Sequence, residues 1–132
     1  MKFAKNRIAA IAISIFLMLS MAASLVALPV NAQATKKTYA YIGANPNPVG
    51  VGQETLLHLG ITQQLTWANE KWHGLTVTVT TPSGDTETLG PFDSDATGGT
   101  GTVYIPAEVG NYTFQTHFPK QDFQGVTYLA SD

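Results

Sequence analysis

Cysteine is absent from the 132 residues, so no disulfide, thiolate nucleophile or cysteine-ligated metal is available. Any fold must then be held by its apolar core. Charge is scarce as well: Asp, Glu, Lys and Arg make up 12% of the chain, about half of the usual quarter. Three of the seven cations, Lys2, Lys5 and Arg7, precede an apolar run; beyond it only Lys36, Lys37, Lys71 and Lys120 face nine acids, a net of −5. Four scattered lysines make no basic stripe, which excludes nucleic acid as a partner. The acidity mainly favours solubility.

Reactive constellations are missing too. Ser83 and Ser94 lie in turn-like stretches with no histidine near them in sequence, and Asp85 and Glu87 sit on a hairpin, where they solvate an outer face. No phosphate-binding loop occurs. The expected protein is therefore non-catalytic and has no cofactor.

What is present begins with an export signal. Met1 to Arg7 is basic, and Ile8 to Leu28 is an uncharged run of Ile, Ala, Leu, Met and Ser. Its roughly twenty residues exceed the usual signal core of about 7–15 and could span a bilayer of about 30 Å, so residues 1–34 are expected to be a signal peptide or an N-terminal membrane anchor. Pro29 is followed by two small-residue cleavage patterns, ending at Ala32 and at Ala34. The cationic flank keeps Met1 inside and places Tyr39 onward outside the cytoplasm, secreted or at the cell surface. Any membrane contact is expected through this segment alone, and residues 35–38 are expected to be a polar linker.

Residues 39–132 read as short strands joined by turns. Tyr39 to Gly43 is a first strand, ended by Asn45-Pro46-Asn47-Pro48. Gln53 to Thr62 alternates, with Leu57, Leu59 and Ile61 on one face. Gln63 to Gly74 breaks the alternation, with room for a helical turn. Leu75 to Thr80 is the plainest strand, β-branched throughout its polar and most of its apolar positions. Pro82-Ser83-Gly84-Asp85 turns it into Thr86 to Leu89, with Gly90-Pro91 ending that arm. Gly101 to Ile105 and Tyr112 to Phe118 complete six strands, the latter with Tyr112, Phe114, Thr116 and Phe118 on one face. This spacing without helical periodicity predicts an all-β, immunoglobulin-like antiparallel sandwich of six to seven strands behind an N-terminal hydrophobic helix. A seventh strand has only Val126 to Ala130 to occupy, so a short last strand or a longer parent protein is expected.

The stretch Asp95 to Pro106, continuing through Val109-Gly110-Asn111-Tyr112-Thr113-Phe114, resembles bacterial and archaeal Ig-like surface domains, where a P-x-x-V-G-x-Y turn opens a strand. Tyr41 to Gly52 is similar to the opening of a module in archaeal secreted proteins that carry PQQ-type β-propeller repeats downstream. The resemblance spans about residues 39–118. It implies a spacer or binding module with no catalytic residues, whose partners are other domains or surface proteins, and it implies for Tyr112 the structural role of a tyrosine corner. No propeller repeat lies in the chain, so it holds no quinone site.

Four features are weighed as sites. Trp67 and Trp72 flank the long connection; Trp72, next to a strand, is expected to be buried, while Trp67 is the better contact residue for protein or carbohydrate. That makes Trp67 to His73 the centre of an alternative, ligand-binding reading. Asn111-Tyr112-Thr113 is a glycosylation sequon at an expected turn. Asp93, Asp95 and Gly98-Gly99 look calcium-like but lack the spacing of a calcium loop, so they read as a turn. His58 and His117 are expected on outward faces of opposite sheets, and no metal site is expected.

Overall fold

The computed structural model describes residues 2–23 and 33–132. They fall into two compact units, Met1–Ala32 and Gln33–Asp132. The first holds helix α1, Lys2–Ala23, whose side chains are exposed over residues 6–18. Among the described residues no helix is long and apolar enough to cross a membrane. The rest of the apolar run, Pro29 and the first cleavage pattern, which ends at Ala32, lie outside the described residues.

The second unit is built from strands: β1 Ala34–Lys36, β2 Ala40–Asn45, β3 Thr55–Ile61, β4 Leu75–Thr80, β5 Thr86–Phe92, β6 Gly99–Tyr104, β7 Thr113–His117, β8 Gln121–Phe123 and β9 Val126–Tyr128. They form three three-stranded sheets, ordered β2-β3-β6, β5-β4-β7 and β1-β9-β8. The first two are antiparallel throughout, while β1 pairs parallel with β9. Alternation decides which faces meet: Leu57, Leu59 and Ile61 of β3, with Leu75, Val77 and Val79 of β4, are all fully buried. Burying a side chain of this kind contributes about 1.5–3 kcal/mol, so this shared interior dominates the stability of the unit.

Close approach at one corner requires glycine. Gly98 has φ of 92°, and a Cβ there would stand 2.5 Å from the Ile61 carbonyl oxygen. Its own carbonyl accepts from the Ile61 N–H at 3.0 Å, which carries the β3–β6 pairing one residue past the start of β6.

The short last strand expected in Val126 to Ala130 is β9, Val126–Tyr128, which pairs with β8 and β1 in the third sheet. Three expectations are corrected. Residues 35–38 are no linker, because Thr35 and Lys36 lie in β1 and the buried Thr38 hydroxyl donates to the Leu129 carbonyl at 2.7 Å. Gly90-Pro91 does not end the hairpin arm. β5 continues to Phe92 because an irregularity opposite Leu75 to Val77 absorbs the proline, which has no N–H to offer, and Gly90 takes φ of 107°. The Gln63 to Gly74 connection contains turns and bends but no helical turn.

Candidate functional site

The two tryptophans take opposite positions. Trp72 is 1% exposed and meets Phe118, Phe123 and Tyr128 edge-on, with ring centroids 5.6, 5.5 and 4.7 Å away. Its indole N–H donates to the Gln63 carbonyl at 2.9 Å, so the one polar atom of the ring is satisfied. Its backbone is clamped by Ser94, whose hydroxyl accepts from the Trp72 N–H at 2.9 Å and whose N–H donates to the Trp72 carbonyl at 2.8 Å. Trp72 thus plugs one end of the domain and is not part of a contact surface.

Trp67 is 63% exposed on a turn held from below. The Glu70 carboxylate accepts from the backbone N–H groups of Thr66 and Trp67 at 3.2 and 3.0 Å, and its other oxygen accepts from Gln124 at 3.0 Å. Glu70 therefore ties the turn to the β8–β9 hairpin. The indole is presented on a braced loop, a geometry suited to stacking on a flat ligand.

At the opposite end, the Tyr112 hydroxyl accepts from the backbone N–H groups of Ala107 and Glu108 at 3.2 and 3.1 Å. It holds the turn between β6 and β7, while its ring packs on Tyr104 at 5.6 Å. Asn111 is exposed beside it, so its amide is open to modification. These residues border a cleft of about 510 Å³ that also touches Ala44, Pro46 and Val109.

The acidic turn closes on itself. Asp95 accepts from the Thr97 hydroxyl at 2.5 Å and the Thr97 N–H at 2.8 Å. The Thr97 hydroxyl, against a smaller opposing effect of desolvation and with help from backbone N–H groups, holds the Asp95 carboxyl below its ordinary 3.8. The hydrogen bonds that a calcium ion would have to replace are thus already made within the loop. Among the described residues no three His, Asp or Glu side chains converge as metal ligands.

The histidines are apart. His58 lies beside Tyr41 with ring centroids 5.5 Å apart, His73 pairs with Asp93 at 2.9 Å, and His117 pairs with Asp132. The last pair was invisible in the sequence, because it joins the end of β7 to a residue with no periodic signal around it. Burial raises the phenols of Tyr41 and Tyr104, helped by Asp95 at the first and by the hydrogen bond to Glu87 at the second. Neither phenol is poised as a base. Comparison with protein-family models, with curated proteins and with solved structures finds no match to the chain.

Proposed function

We propose that residues 33–132 are an extracytoplasmic Ig-like sandwich acting as a structural or adhesive module, exported by the N-terminal segment and without catalytic activity. The observation that carries this reading is the strand order. Sheet β2-β3-β6 faces sheet β5-β4-β7, with Tyr112 pinning the crossover between β6 and β7. This is the order of strands A-B-E against C′-C-F in immunoglobulin-like folds, with the tyrosine at the start of F. A rigid, disulfide-free unit of this kind spaces or presents its neighbours on a secreted or cell-surface protein.

Export has a sharper form. Cleavage after Ala34 would cut into β1, whereas cleavage after Ala32 leaves Ala34–Lys36 whole. The mature protein therefore starts at Gln33. A reporter fused after Asp132 should be active outside the cytoplasm, and the first residue of the secreted form should be Gln33; reporter activity confined to the cytoplasm defeats the proposal.

The exposure of Trp67 favours one second reading, an accessory domain that binds carbohydrate or protein through the Trp67 to His73 loop. Binding on a glycan array that is lost in Trp67→Ala would support it over the spacer role.

A further inference from the structure

The turn that opens β7 carries a motif that the spacer role leaves unused. Asn111-Tyr112-Thr113 is the only Asn-x-Ser/Thr triplet in the sequence, a pattern that marks an acceptor for N-linked glycans on exported chains. Such triplets also arise by chance, so the placement of the three side chains decides whether this one can serve. Asn111 and Thr113 are both exposed, and Tyr112 between them is half-buried. That order is the one an extended chain imposes as it enters β7: the acceptor amide and the hydroxyl share the outer side, and the tyrosine turns inward.

A bulky group fits here because the turn is held by other atoms. The Tyr112 hydroxyl accepts from the N–H groups of Ala107 and Glu108. The Glu108 carboxylate accepts from the Ser83 N–H at 3.2 Å and the Ser83 hydroxyl at 3.0 Å, which joins the turn to the β4–β5 hairpin. Gly110 lies so close to Pro82 that a Cβ there would stand 2.5 Å from the proline ring. None of these contacts uses the Asn111 side chain, so a sugar in place of one amide hydrogen breaks no bond of the turn.

Asn111 also lines the 510 Å³ cleft, a groove whose other loop contributes Pro46, Asn47, Pro48 and Val49. Its volume falls within the range of small-molecule sites, about 300–1,000 Å³. Val109, two residues from Asn111, is 88% exposed, more than any other large apolar side chain among the described residues. A pyranose ring has an apolar face of C–H groups and a rim of hydroxyls. The prolines and valines offer surface to the face, and the Asn47 amide offers hydrogen bonds to the rim.

We propose that Asn111 carries an N-linked glycan whose first sugars lie along this cleft. The inference rests on the export reading above, because the transfer needs a membrane-bound glycosyltransferase and a lipid-diphosphate-linked oligosaccharide on the far side of the membrane. The Asn111 amide nitrogen bonds to the anomeric carbon of the first sugar. The bond from that carbon to the diphosphate oxygen breaks, the lipid diphosphate leaves with the electron pair, and the amide gives up one proton; nothing is oxidised or reduced. The Thr113 hydroxyl completes the acceptor motif. A chain tethered to the wall of the cleft fills it without competing for a free ligand.

The test uses the full-length gene in the cells that naturally express it. Cleavage of the exported protein after lysine isolates residues 72–120, the fragment that holds Asn111. Its mass should exceed the sequence value by that of a saccharide. The excess should vanish in Asn111→Gln and Thr113→Ala and persist in Thr113→Ser, which keeps the hydroxyl. In the glycosylated protein the amide hydrogens of Val49 and Val51, on the other loop of the cleft, should exchange more slowly than in Asn111→Gln. An exported chain whose fragment has its bare sequence mass overturns the proposal and leaves the export reading standing. A mass excess that survives Asn111→Gln puts the sugar on another residue and overturns it as well. Equal exchange at both amides in the two proteins overturns the placement of the sugars in the cleft. A chain retained in the cytoplasm defeats the export reading itself, and this inference with it.

Discussion

The two ends of the β-rich unit are closed by different means. At one, Trp72 gathers Phe118, Phe123 and Tyr128, all distant in sequence, into an aromatic plug. At the other, closure is by hydrogen bonds that hold loops. Tyr112 bonds its own preceding turn, and the Gly52 N–H donates to the Pro106 carbonyl at 2.9 Å to join two loops. The first arrangement buries apolar surface and carries stability; the second fixes loop geometry and leaves a groove with Val109 in water. One domain thus separates what holds it together from what it can offer to a partner.

That contrast is most severely tested by truncating the plug. Trp72→Ala should lower unfolding free energy by about 3–5 kcal/mol in denaturant melts, because the cavity is lined by rings that cannot collapse together. At the other end Tyr112→Phe keeps the ring packing and deletes only the hydroxyl, so about 1 kcal/mol is expected. Equal losses for the two variants would break the comparison. Trp67→Ala, on the braced but exposed turn, should stay within about 0.5 kcal/mol of the parent; a larger loss would mean that the indole is part of the closure.

The smallest effect concerns pH. The Asp95 carboxyl is held below its ordinary 3.8 chiefly by the Thr97 hydroxyl. A depressed value means the ionised form is favoured by folding, so its contribution is present above the unfolded value and lost as pH falls through the folded one. Thr97→Val should make the loss of stability below about pH 4 shallower than in the parent, measured by thermal melts across the acid range. An unchanged acid limb would show that Asp95 does not sense its turn.

How much of this was legible depended on whether the signal was local. Leu57, Leu59 and Ile61, and the valines of β4, announce their strands because half-burial imposes a two-residue period. The burial of Trp72 was readable from its place beside β4, yet its neighbours were not, since Phe123 and Tyr128 lie in three-residue strands too short to show a period. Pro91 misled for a physical reason: a missing N–H normally ends a strand, and only the irregularity in the partner ladder lets β5 pass it. The groove had no sequence signature either. It is lined mainly by residues 46–51 and 106–112, two loops far apart in sequence. Among the described residues, the Thr116 hydroxyl donates to the Tyr41 carbonyl at 3.0 Å and so ties β7 to β2.

The parallel ladder of β1 and β9 matches Ala34, Thr35 and Lys36 with Val126, Thr127 and Tyr128. Tension applied through Gln33 and Asp132 pulls these two strands past each other along their length, so the rungs are sheared together and not peeled singly. Such a load would meet β1 and β9 acting as a clasp.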